Sequence, residues 1–468
     1  MMAMNQLPTR RTLLAAALTL VAPAVVGCGG ESAPPAAKTP VPAATPTAAA
    51  VATQAPTAAP VPPTPVRYDG KVLVHWGSYG APERAALLGY YDRFAEAEAP
   101  GLKIDIQLVT NAEYLPKLTA AVVGGSPPDF CRFKENLNNE MASRSSTVAL
   151  DAYVAKDRVV KLDDFTPQSV EALRHKEKLH GMPYYHQYVI FGWNKGLFQQ
   201  AGLDPEKPPT SWSALRETAK KLTLADKGQW GFRLYEFGPP PREQIFNWFM
   251  EWVWRNGGDV WNKDRTRVTL DTSEAIGALQ YQIDLIHGDR SAIPPDQAQL
   301  AIETGKLGMW MPTAVGVLNL RKTAPDLNFG LGPMPWASQP ATQLQVNSLA
   351  AMAGAKMTDA SYAAIAWMSR ADSMQAWQAE PALSSVPVRK ALLDKAPWSD
   401  LASGWKPIID VLKMPGGRAK PHIPSWDEFT EKNIVPHLTA AWRQEKTPKD
   451  ALTEAHRSAN TWLEGRKA

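Results

Sequence analysis

The sequence predicts an α/β fold of two units, and three observations carry this prediction. The chain has 468 residues, and the first 67 contain no periodic apolar pattern beyond one short run. The remaining stretch of about 400 residues is too long for one ordinary core and suits two domains of about 200 residues each. From residue 71 onward, short apolar strand patterns alternate with helical patterns, as in proteins with parallel sheets.

Composition excludes several classes of protein. Hydrophobic residues make up 44% of the chain, which is typical of a globular protein and excludes a wholly disordered one. No stretch of 18 apolar residues occurs, so a polytopic membrane protein is not predicted. Outside residues 1–27, which carry two arginines and no acids, 48 basic residues face 46 acidic ones. This near-neutral charge argues against nucleic acid as a partner.

Residues 1–27 are predicted to be a lipoprotein signal peptide. Arg10 and Arg11 precede an apolar run of about fifteen residues, which is too short for a stable membrane span. Residues 25–28, with the sequence Val-Val-Gly-Cys, resemble a bacterial lipobox, in which the Cys28 thiol takes the diacylglyceryl group. The paired arginines also resemble a twin-arginine export signal, with an ordinary Sec signal as the alternative.

Residues 28–67 are predicted to be the lipidated Cys28 followed by a disordered tether. Ala, Pro and Thr dominate this segment, which leaves almost no large apolar side chain to bury. Extended as polyproline II, the segment reaches at most roughly 120 Å. We therefore expect an exported protein that a lipid anchors to the outer face of the cytoplasmic membrane. The alternative is a secreted protein whose cysteine is incidental.

The elements after the tether follow in order. An apolar run at residues 71–76 predicts a first strand, and residues 83–97 carry apolar residues at helical spacing. Alternation predicts a second strand at 102–108, a helix follows at 112–123, and a third strand is predicted at 127–133. This order predicts a parallel sheet with right-handed crossovers, in which ligands bind beyond the carboxyl ends of the strands.

The later chain is predicted to be more helical. Helical patterns occur at residues 211–222, 243–255, 273–287, 359–370 and 448–463. Thr447 is predicted to cap the last of these helices, because Pro448 stands at the first helical position.

The short motifs of the common enzyme classes are absent from the sequence. It contains no nucleophile elbow, Walker A loop, HExxH motif or cysteine pair at zinc spacing. This absence favours a protein without catalytic residues, cofactor or metal. Carboxylate-dependent hydrolases leave no short motif, so that class stays open.

A tyrosine-rich segment offers a second interpretation. Tyr184, His186 and Tyr188 alternate and would share one face of a strand. Two phenols and an imidazole could ligate ferric iron. No acidic partner lies close in sequence, which favours an aromatic lining of a cleft.

Tryptophan is unusually frequent, with 17 residues in the chain. Aromatic faces stack on the C–H-rich faces of sugar rings, so flat platforms of this kind are typical of sugar sites. Trp76 and Trp193 lie at the ends of predicted strands, where they could line a cleft. The tryptophans in helical patterns are expected to pack in the core instead; they are Trp248, Trp252, Trp367, Trp377, Trp442 and Trp462.

Several segments together resemble the family 1 extracellular solute-binding proteins of bacterial ABC importers, the maltose- and oligosaccharide-binding group. Residues 180–184 and 191–203 resemble the family's "G-x-P-Y … Y-N-K-x-L-F-x-x-A-G-L" stretch. Residues 208–212 resemble its "P-P-x-T-W", with one inserted residue, and residues 386–389 its "L-P-x-R". The segments keep the family order across roughly residues 70–465.

The resemblance implies a two-lobe periplasmic-binding-protein fold with three crossings between the lobes and a ligand cleft. The N-lobe would comprise residues 68–183 and 347–388, and the C-lobe residues 184–346 and 389–468. Ligand would bridge both lobes and stabilise a closed state by contacts that the open state lacks.

The resemblance also implies the residues of the site. In the family the aromatic residue before Asn-Lys stacks on the sugar, and here that position is Trp193. Trp310 is expected to replace a missing Gly-x-Trp contact, and Trp426 begins a helix that faces the cleft in relatives. With the strand ends and the tyrosine-rich segment, the predicted ligand-binding residues are Trp76, Ser78, Lys134, Glu135, Asn136, Tyr184, His186, Trp193, Trp310 and Trp426.

The function implied is that of a monomeric substrate-binding subunit that binds a sugar or oligosaccharide and delivers it to transmembrane permease subunits. Such a protein needs no cofactor and performs no catalysis. One alternative is a secreted carbohydrate-active hydrolase with paired carboxylates. Another is a binding protein of the same fold for ferric iron, a polyol or glycerol phosphate.

Overall fold

The computed structural model of the protein describes residues 66–234, 243–293, 302–400, 404–420, 422–423 and 425–466. The predicted signal peptide, Cys28 and the predicted tether up to residue 65 lie outside the described residues. In the part of the chain that is described, no helix is long and apolar enough to cross a membrane.

The described strands lie in two large sheets and two short pairs. In chain order they are β1 (Val72–Gly77), β2 (Lys103–Leu108), β3 (Phe130–Lys134), β4 (Arg174–His175), β5 (Lys178–Leu179), β6 (Met182–Gln187), β7 (Phe191–Asn194), β8 (Trp230–Arg233), β9 (Ala292–Ile293), β10 (Leu307–Trp310), β11 (Phe329–Gly332), β12 (Thr342–Gln343), β13 (Gln345–Ala351) and β14 (Gly417–Arg418).

The α-helices surround these sheets and dominate the second half of the chain, as predicted. They are α1 (Ala81–Glu98), α2 (Asn111–Val123), α3 (Glu135–Ser143), α4 (Asp151–Lys156), α5 (Pro167–Glu171), α6 (Lys195–Gln200), α7 (Trp212–Leu222), α8 (Glu243–Arg255), α9 (Ser273–Ile283), α10 (Ala314–Thr323), α11 (Thr358–Ser369), α12 (Ala371–Ala379), α13 (Lys406–Lys413), α14 (Trp426–Asn433), α15 (Val435–Trp442) and α16 (Pro448–Glu464).

The first sheet has the strand order β2-β1-β3-β13-β6. Strand β1 pairs in parallel with β2 and β3, which confirms the parallel arrangement predicted for the first three strands. Strand β13 pairs antiparallel with both β3 and β6, so the sheet as a whole is mixed. Leu73, Ile106 and Phe130 are buried beneath it and make up part of the first core. The predicted α/β class is confirmed.

The second sheet has the strand order β11-β7-β10-β8-β9. Strand β10 pairs in parallel with β8 and antiparallel with β7, and β8 pairs in parallel with β9. Helices α7, α8, α9 and α14 to α16 supply most of the apolar side chains that pack around this sheet as a second core.

Two helix ends can be compared with the sequence patterns, namely the start of α16 and the end of α9. The Thr447 hydroxyl accepts a hydrogen bond from the Asp450 backbone at 3.1 Å, which confirms Thr447 as the N-cap of α16. Such a cap satisfies a backbone donor that would otherwise lack a partner in the first turn. Helix α9 is shorter than its pattern, because after Ile283 the chain widens into a π-helical turn that ends at Gly288.

The chain passes from the first sheet to the second between β6 and β7, and returns between β11 and β13. Apolar side chains from Leu392 to Val411 pack in the first core, whereas those from Ile423 onward pack in the second. The packing therefore extends the first core beyond residue 388, where the predicted N-lobe ends. The described residues from 66 onward form a single compact unit, so the lobes as separate domains stay a prediction.

Candidate functional site

A cavity of about 340 Å³ is lined by strands of the first sheet and by residues that pack near the second sheet. Strands of the first sheet, helix α8 and the two chain passages between the sheets all contribute to it. The lining residues are Arg132, Lys134, Tyr185, Gln187, Tyr188, Val189, Gln244, Trp248, Glu251, Thr313, Gln343, Gln345 and Asn347.

Six of these side chains come from three neighbouring strands of the first sheet. They are Arg132 and Lys134 of β3, Gln345 and Asn347 of β13, and Tyr185 and Gln187 of β6. Asn347 stands opposite Lys134 on one neighbouring strand and opposite Tyr185 on the other. Because residues two apart share a face of a strand, one face of the sheet presents two cations, one phenol and three amides to the cavity.

Helix α8 contributes Gln244, Trp248 and Glu251. These residues are four and then three positions apart, which places them on one face of the helix. The Trp248 side chain is 8% exposed, and much of the rest of the helix, including Phe249 and Trp252, packs in the second core. One stripe of an otherwise apolar helix therefore carries the polar residues of the site.

The remaining lining residues hold the passages between the sheets in place. The Tyr188 hydroxyl donates a hydrogen bond to the Ile408 carbonyl at 2.6 Å. The Thr313 hydroxyl caps α10 by accepting a hydrogen bond from the Gly316 backbone at 3.0 Å. The Tyr188 bond therefore fixes one of the segments that join the two sheets, and the Thr313 bond fixes the start of α10.

Arg132 is held by polar and aromatic contacts. One terminal nitrogen donates to the Tyr185 hydroxyl at 2.7 Å, and the other donates to the Ser78 hydroxyl at 2.6 Å. The guanidinium carbon lies 4.9 Å from the centre of the Tyr79 ring, and burial raises the pKa of Tyr185 while Arg132 opposes that rise. The Nε atom is buried and has no hydrogen-bond acceptor. The guanidinium is thus fixed in orientation by two hydrogen bonds, which use two of its five N–H donors.

Glu251 forms an ion pair with Arg255, one turn further along α8, and both side chains are fully buried. Arg255 also donates to the Ala341 carbonyl at 2.9 Å. Burial raises the pKa of Glu251 to about 7, and the neighbouring Arg255 charge opposes that rise. Among the described residues that line the cavity, Glu251 is the single carboxylate, so the lining does not supply the two facing carboxylates of a glycosidase.

A smaller cavity of about 110 Å³ adjoins the first, because Arg132 and Tyr185 line both. Its other lining residues are Tyr79, Glu83, Tyr184, Asn319, Lys322, Trp377, Pro381, Ala382, Leu383, Ser384 and Ser385. Lys322 of α10 donates a hydrogen bond to the Pro381 carbonyl at 3.2 Å. That bond joins the helix between β10 and β11 of the second sheet to the loop that follows α12.

The predicted residues at the ends of β1 and β3 lie at or beside the cavity. Lys134 lines it, and Ser78 reaches it through its hydrogen bond with Arg132. Glu135 is buried; it accepts from the Val346 backbone and lies 3.8 Å from the Lys420 ammonium. Asn136 donates to Asp427 at 3.4 Å. Of these four predicted residues, Lys134 lines the cavity and the other three contact residues around it.

Trp76 belongs to β1, which lies between β2 and β3 in the first sheet. Its ring nitrogen donates to the Gln107 amide oxygen at 2.8 Å, and its side chain is half-buried beside the small core around Cys131. It does not line either cavity described above.

Tyr184 and His186 occupy the alternate positions of β6. Tyr184 stacks on Trp377 with ring centres 4.5 Å apart and lines only the smaller cavity. His186 is fully buried, and its Nε2 atom lies 2.9 Å from the Thr166 hydroxyl. Burial lowers the pKa of His186 to about 4. The alternation was predicted, but Tyr185 and Gln187 are the residues that face the larger cavity.

The remaining predicted tryptophans lie in the apolar interior. Trp193 donates to the Pro205 carbonyl at 2.8 Å and packs over Gly330. Trp310 is fully buried next to Phe329, and Trp426 donates to the Asn247 amide at 3.2 Å. None of the three lines the larger cavity. As ligand contacts these residues stay predictions.

The tryptophan that lines the cavity is Trp248, which its helical pattern assigned to the core. The pattern did contain a signal for it. Gln244 and Glu251 lie on the same face of this largely apolar helix as Trp248. Polar residues on one face indicate that this face does not pack only against the apolar core.

Metal binding has no obvious centre in the described residues. Across residues 66–466, apart from the segments not described, no group of three or more His, Cys, Asp or Glu side chains could hold a metal ion. The amides, phenols and indole of the larger cavity are instead suited to donate to and accept from hydroxyl groups and to stack on a sugar ring.

Comparisons with known proteins give a consistent picture. A sequence model of the family described as "Bacterial extracellular solute-binding protein" matches residues 78–375, which is more than half of the chain. A putative binding protein of Brucella abortus is 22% identical over 348 residues, which cover 72% of this chain and 80% of that relative. A mannitol-binding protein of Pseudomonas aeruginosa is 27% identical over 229 residues, which cover 44% and 48% of the two chains.

A solved structure shares the fold. The cyclic alpha-maltosyl-1,6-maltose binding protein of Arthrobacter globiformis superimposes with a TM-score of 0.74 at 22% identity. The match covers 86% of this chain and 100% of that one.

Proposed function

The chain belongs to the bacterial extracellular solute-binding proteins, and on that premise we propose that it is the substrate-binding subunit of an ABC importer for a sugar or oligosaccharide. The maltosyl-maltose-binding neighbour and the mannitol-binding relative both take polyhydroxylated solutes, which supports this choice of ligand. The solute would be handed to transmembrane permease subunits, without a cofactor and without a covalent step.

The observation that carries the proposal is the composition of the larger cavity. Five of its lining side chains are amides, namely Gln187, Gln244, Gln343, Gln345 and Asn347. Each amide can both donate and accept, so it matches a hydroxyl group whichever way the hydroxyl points. Trp248, Tyr185 and Tyr188 add aromatic surface for the apolar faces of a sugar ring.

Binding would act through closure of the molecule around the solute. The cavity takes side chains from the first sheet and from α8, so a ligand in it would contact both cores. A ligand shifts a conformational equilibrium only by its differential affinity for the two states. Contacts with both cores supply this difference in affinity, because a ligand bound to the open state would keep its contacts with one core only.

We extend the proposal to two lobes that move relative to each other. The N-lobe would carry the first sheet and the C-lobe the second, and the core packing supports placing the third crossing between Val411 and Ile423. This position lies later in the chain than residue 388, where sequence resemblance places it.

The test is a thermal-unfolding screen of the mature protein against saccharides, with polyols, glycerol 3-phosphate and ferric iron as separate arms. A ligand at about 100 times its dissociation constant stabilises the native state by roughly 2.7 kcal/mol. We expect at least one saccharide to raise the unfolding temperature, and a shift with a polyol or glycerol 3-phosphate alone would favour the alternative ligand. A shift with ferric iron alone, or release of reducing sugar from a polysaccharide, would contradict the proposal.

We also propose that Cys28 is lipidated after removal of residues 1–27 and that residues 29–67 hold the folded part away from the membrane. Labelled palmitate should enter the full-length protein in cells and should not enter the Cys28→Ala variant. Equal labelling of the two proteins, or release of both into the medium, is incompatible with this anchor.

A further inference from the structure

Arg132 is a cation without a carboxylate partner at the junction of the two cavities. In the described part of the chain no acidic side chain forms an ion pair with it. Other largely buried arginines have such a partner: Arg255 pairs with Glu251, and Arg389 pairs with Asp164. Burying a charge without an opposite charge beside it costs free energy. The presence of such a charge at a binding cavity therefore needs an explanation.

The contacts that Arg132 does have orient it without neutralising it. The hydroxyls of Tyr185 and Ser78 each accept one hydrogen bond from a terminal nitrogen, and the Tyr79 ring packs against the guanidinium. An aromatic face attracts a cation but carries no net charge. The Nε donor is buried and has no partner, and each terminal nitrogen keeps a second N–H for a ligand. Glu83 lines the smaller cavity with Arg132, but its carboxylate accepts from the Gly80 backbone instead.

The other charges around the larger cavity balance one another. Glu251 is paired with Arg255 inside α8. Lys134 and Lys420 lie near two buried acids, Glu135 and Asp427. Burial raises the pKa of both acids, and the charges of the two lysines oppose that rise. Two lysines and two acids make that group neutral. Among the charged residues that line the larger cavity, Arg132 has no acidic partner among the described residues.

We infer that the natural ligand carries an anionic group, a carboxylate or a phosphate monoester on a polyhydroxylated body, and that Arg132 binds it. This inference rests on the proposed function of the larger cavity. The amides would bind the hydroxyl groups, and Arg132, two residues before Lys134 on the same strand face, would bind the anion by charge-assisted hydrogen bonds.

The test compares neutral and acidic partners of the same solute by calorimetric titration of the mature protein. Suitable pairs are glucose with glucuronate, galactose with galacturonate and mannitol with mannonate, together with their disaccharides. Glucose 6-phosphate and glycerol 3-phosphate form the phosphate arm, and inorganic phosphate tests the anion alone. We expect an acidic member to bind at least tenfold tighter than its neutral partner. Whether that member is a carboxylate or a phosphate ester identifies the anionic group of the ligand.

Variants separate recognition from structure. Arg132→Gln should weaken binding of the acidic member about 10- to 100-fold, the range for a lost charged hydrogen bond, and should reduce its preference over the neutral member. Arg132→Lys, which keeps the charge, should retain part of that preference. Arg67→Gln removes an exposed guanidinium and should change neither affinity.

Each outcome is decisive. If a neutral solute binds as tightly as its acidic partner, or if Arg132→Gln lowers both affinities equally, the inference is wrong and the proposed function stands. If no solute of either kind binds, the proposed function fails and the inference fails with it.

Discussion

The Trp248 indole lies at the wall of the larger cavity, between Gln244 and Glu251 on one face of α8. A large flat ring held by a helix is an inexpensive way to present apolar surface to a sugar, because few side-chain rotations are frozen on binding. The same ring also packs in the second core, so its environment is apolar on one side and polar on the other.

Truncation of Trp248 should weaken solute binding more than it weakens the fold. We expect Trp248→Ala to lower affinity for the natural solute at least tenfold, as measured by titration calorimetry, because the stacking surface is lost. Trp462→Ala is the matched control, since Trp462 is a half-buried tryptophan of α16 that packs on Phe429 away from the cavity. Equal losses of affinity in the two variants would contradict a binding role for Trp248.

His186, a predicted ligand contact, lies in the protein interior and does not line the larger cavity. It is fully buried and neutral, and burial lowers its pKa to about 4 from an ordinary value of 6.5. The unfolded chain therefore binds a proton at a higher pH than the native protein does. The stability from this histidine is complete above pH 6.5 and is lost as pH falls toward 4.

His186→Gln should remove that pH dependence. Between pH 7.5 and pH 5 the free energy of unfolding of the native sequence should fall by about 2 kcal/mol more than that of the variant. Denaturant titration at both pH values measures the difference, and the buried His75 contributes equally to both proteins. Solute affinity at pH 7.5 should be unchanged; a large loss of affinity would instead support the predicted ligand contact.

Strand β6 shows why the site was harder to predict than the strand itself. Alternating residues predicted that Tyr184 and His186 share a face, and they do, but alternation does not say which face meets the ligand. Tyr185 and Gln187 face the cavity because β13 brings Asn347 beside them, more than 150 residues away in sequence. Lys134 could be predicted because it stands at the carboxyl end of a parallel strand, and such an end is recognised from neighbouring residues in the sequence.

Most helices and strands could be predicted because their periodicity is also local. The structure has helices at Trp212–Leu222, Glu243–Arg255 and Pro448–Glu464, close to the patterns that predicted them. What periodicity does not contain is the pairing of β13 with β3 and β6, which sets the wall of the cavity. Long-range pairing depends on the whole chain and leaves no pattern within a single segment.

The contact between α7 and β8 leaves no room for a side chain at Gly231. A Cβ atom there would lie 1.9 Å from the Ala219 carbonyl oxygen, which belongs to the backbone of α7. Gly231→Ala should therefore destabilise the protein by about 1–3 kcal/mol, because helix and strand must separate. Denaturant unfolding measures this cost.

Gly89 provides the matched control for the same chemical change. It lies inside α1, is exposed, and has no atom within 4 Å of the position of a Cβ. Gly89→Ala should stabilise the protein by up to about 1 kcal/mol, because alanine favours helix more than glycine does. If both substitutions destabilised the protein equally, close packing of α7 on β8 would not explain the effect at Gly231.

At the scale of the whole molecule, the two sheets are joined by segments that also line the cavity. Tyr188 and Val189 lie between β6 and β7, and Gln343 lies on the return path to β13. A change in the relative position of the sheets would therefore move cavity residues directly. Solute binding and the arrangement of the two cores are linked by these few residues.

Hydrogen–deuterium exchange tests most directly whether one solute contacts both cores in the larger cavity. With saturating solute, we predict slower exchange in residues 130–134 and 343–347 of the first sheet's side, and also in residues 244–251 of α8. Protection should weaken in Trp248→Ala at equal solute concentration. Protection confined to one of the two sides, or found only outside these segments, would contradict the account.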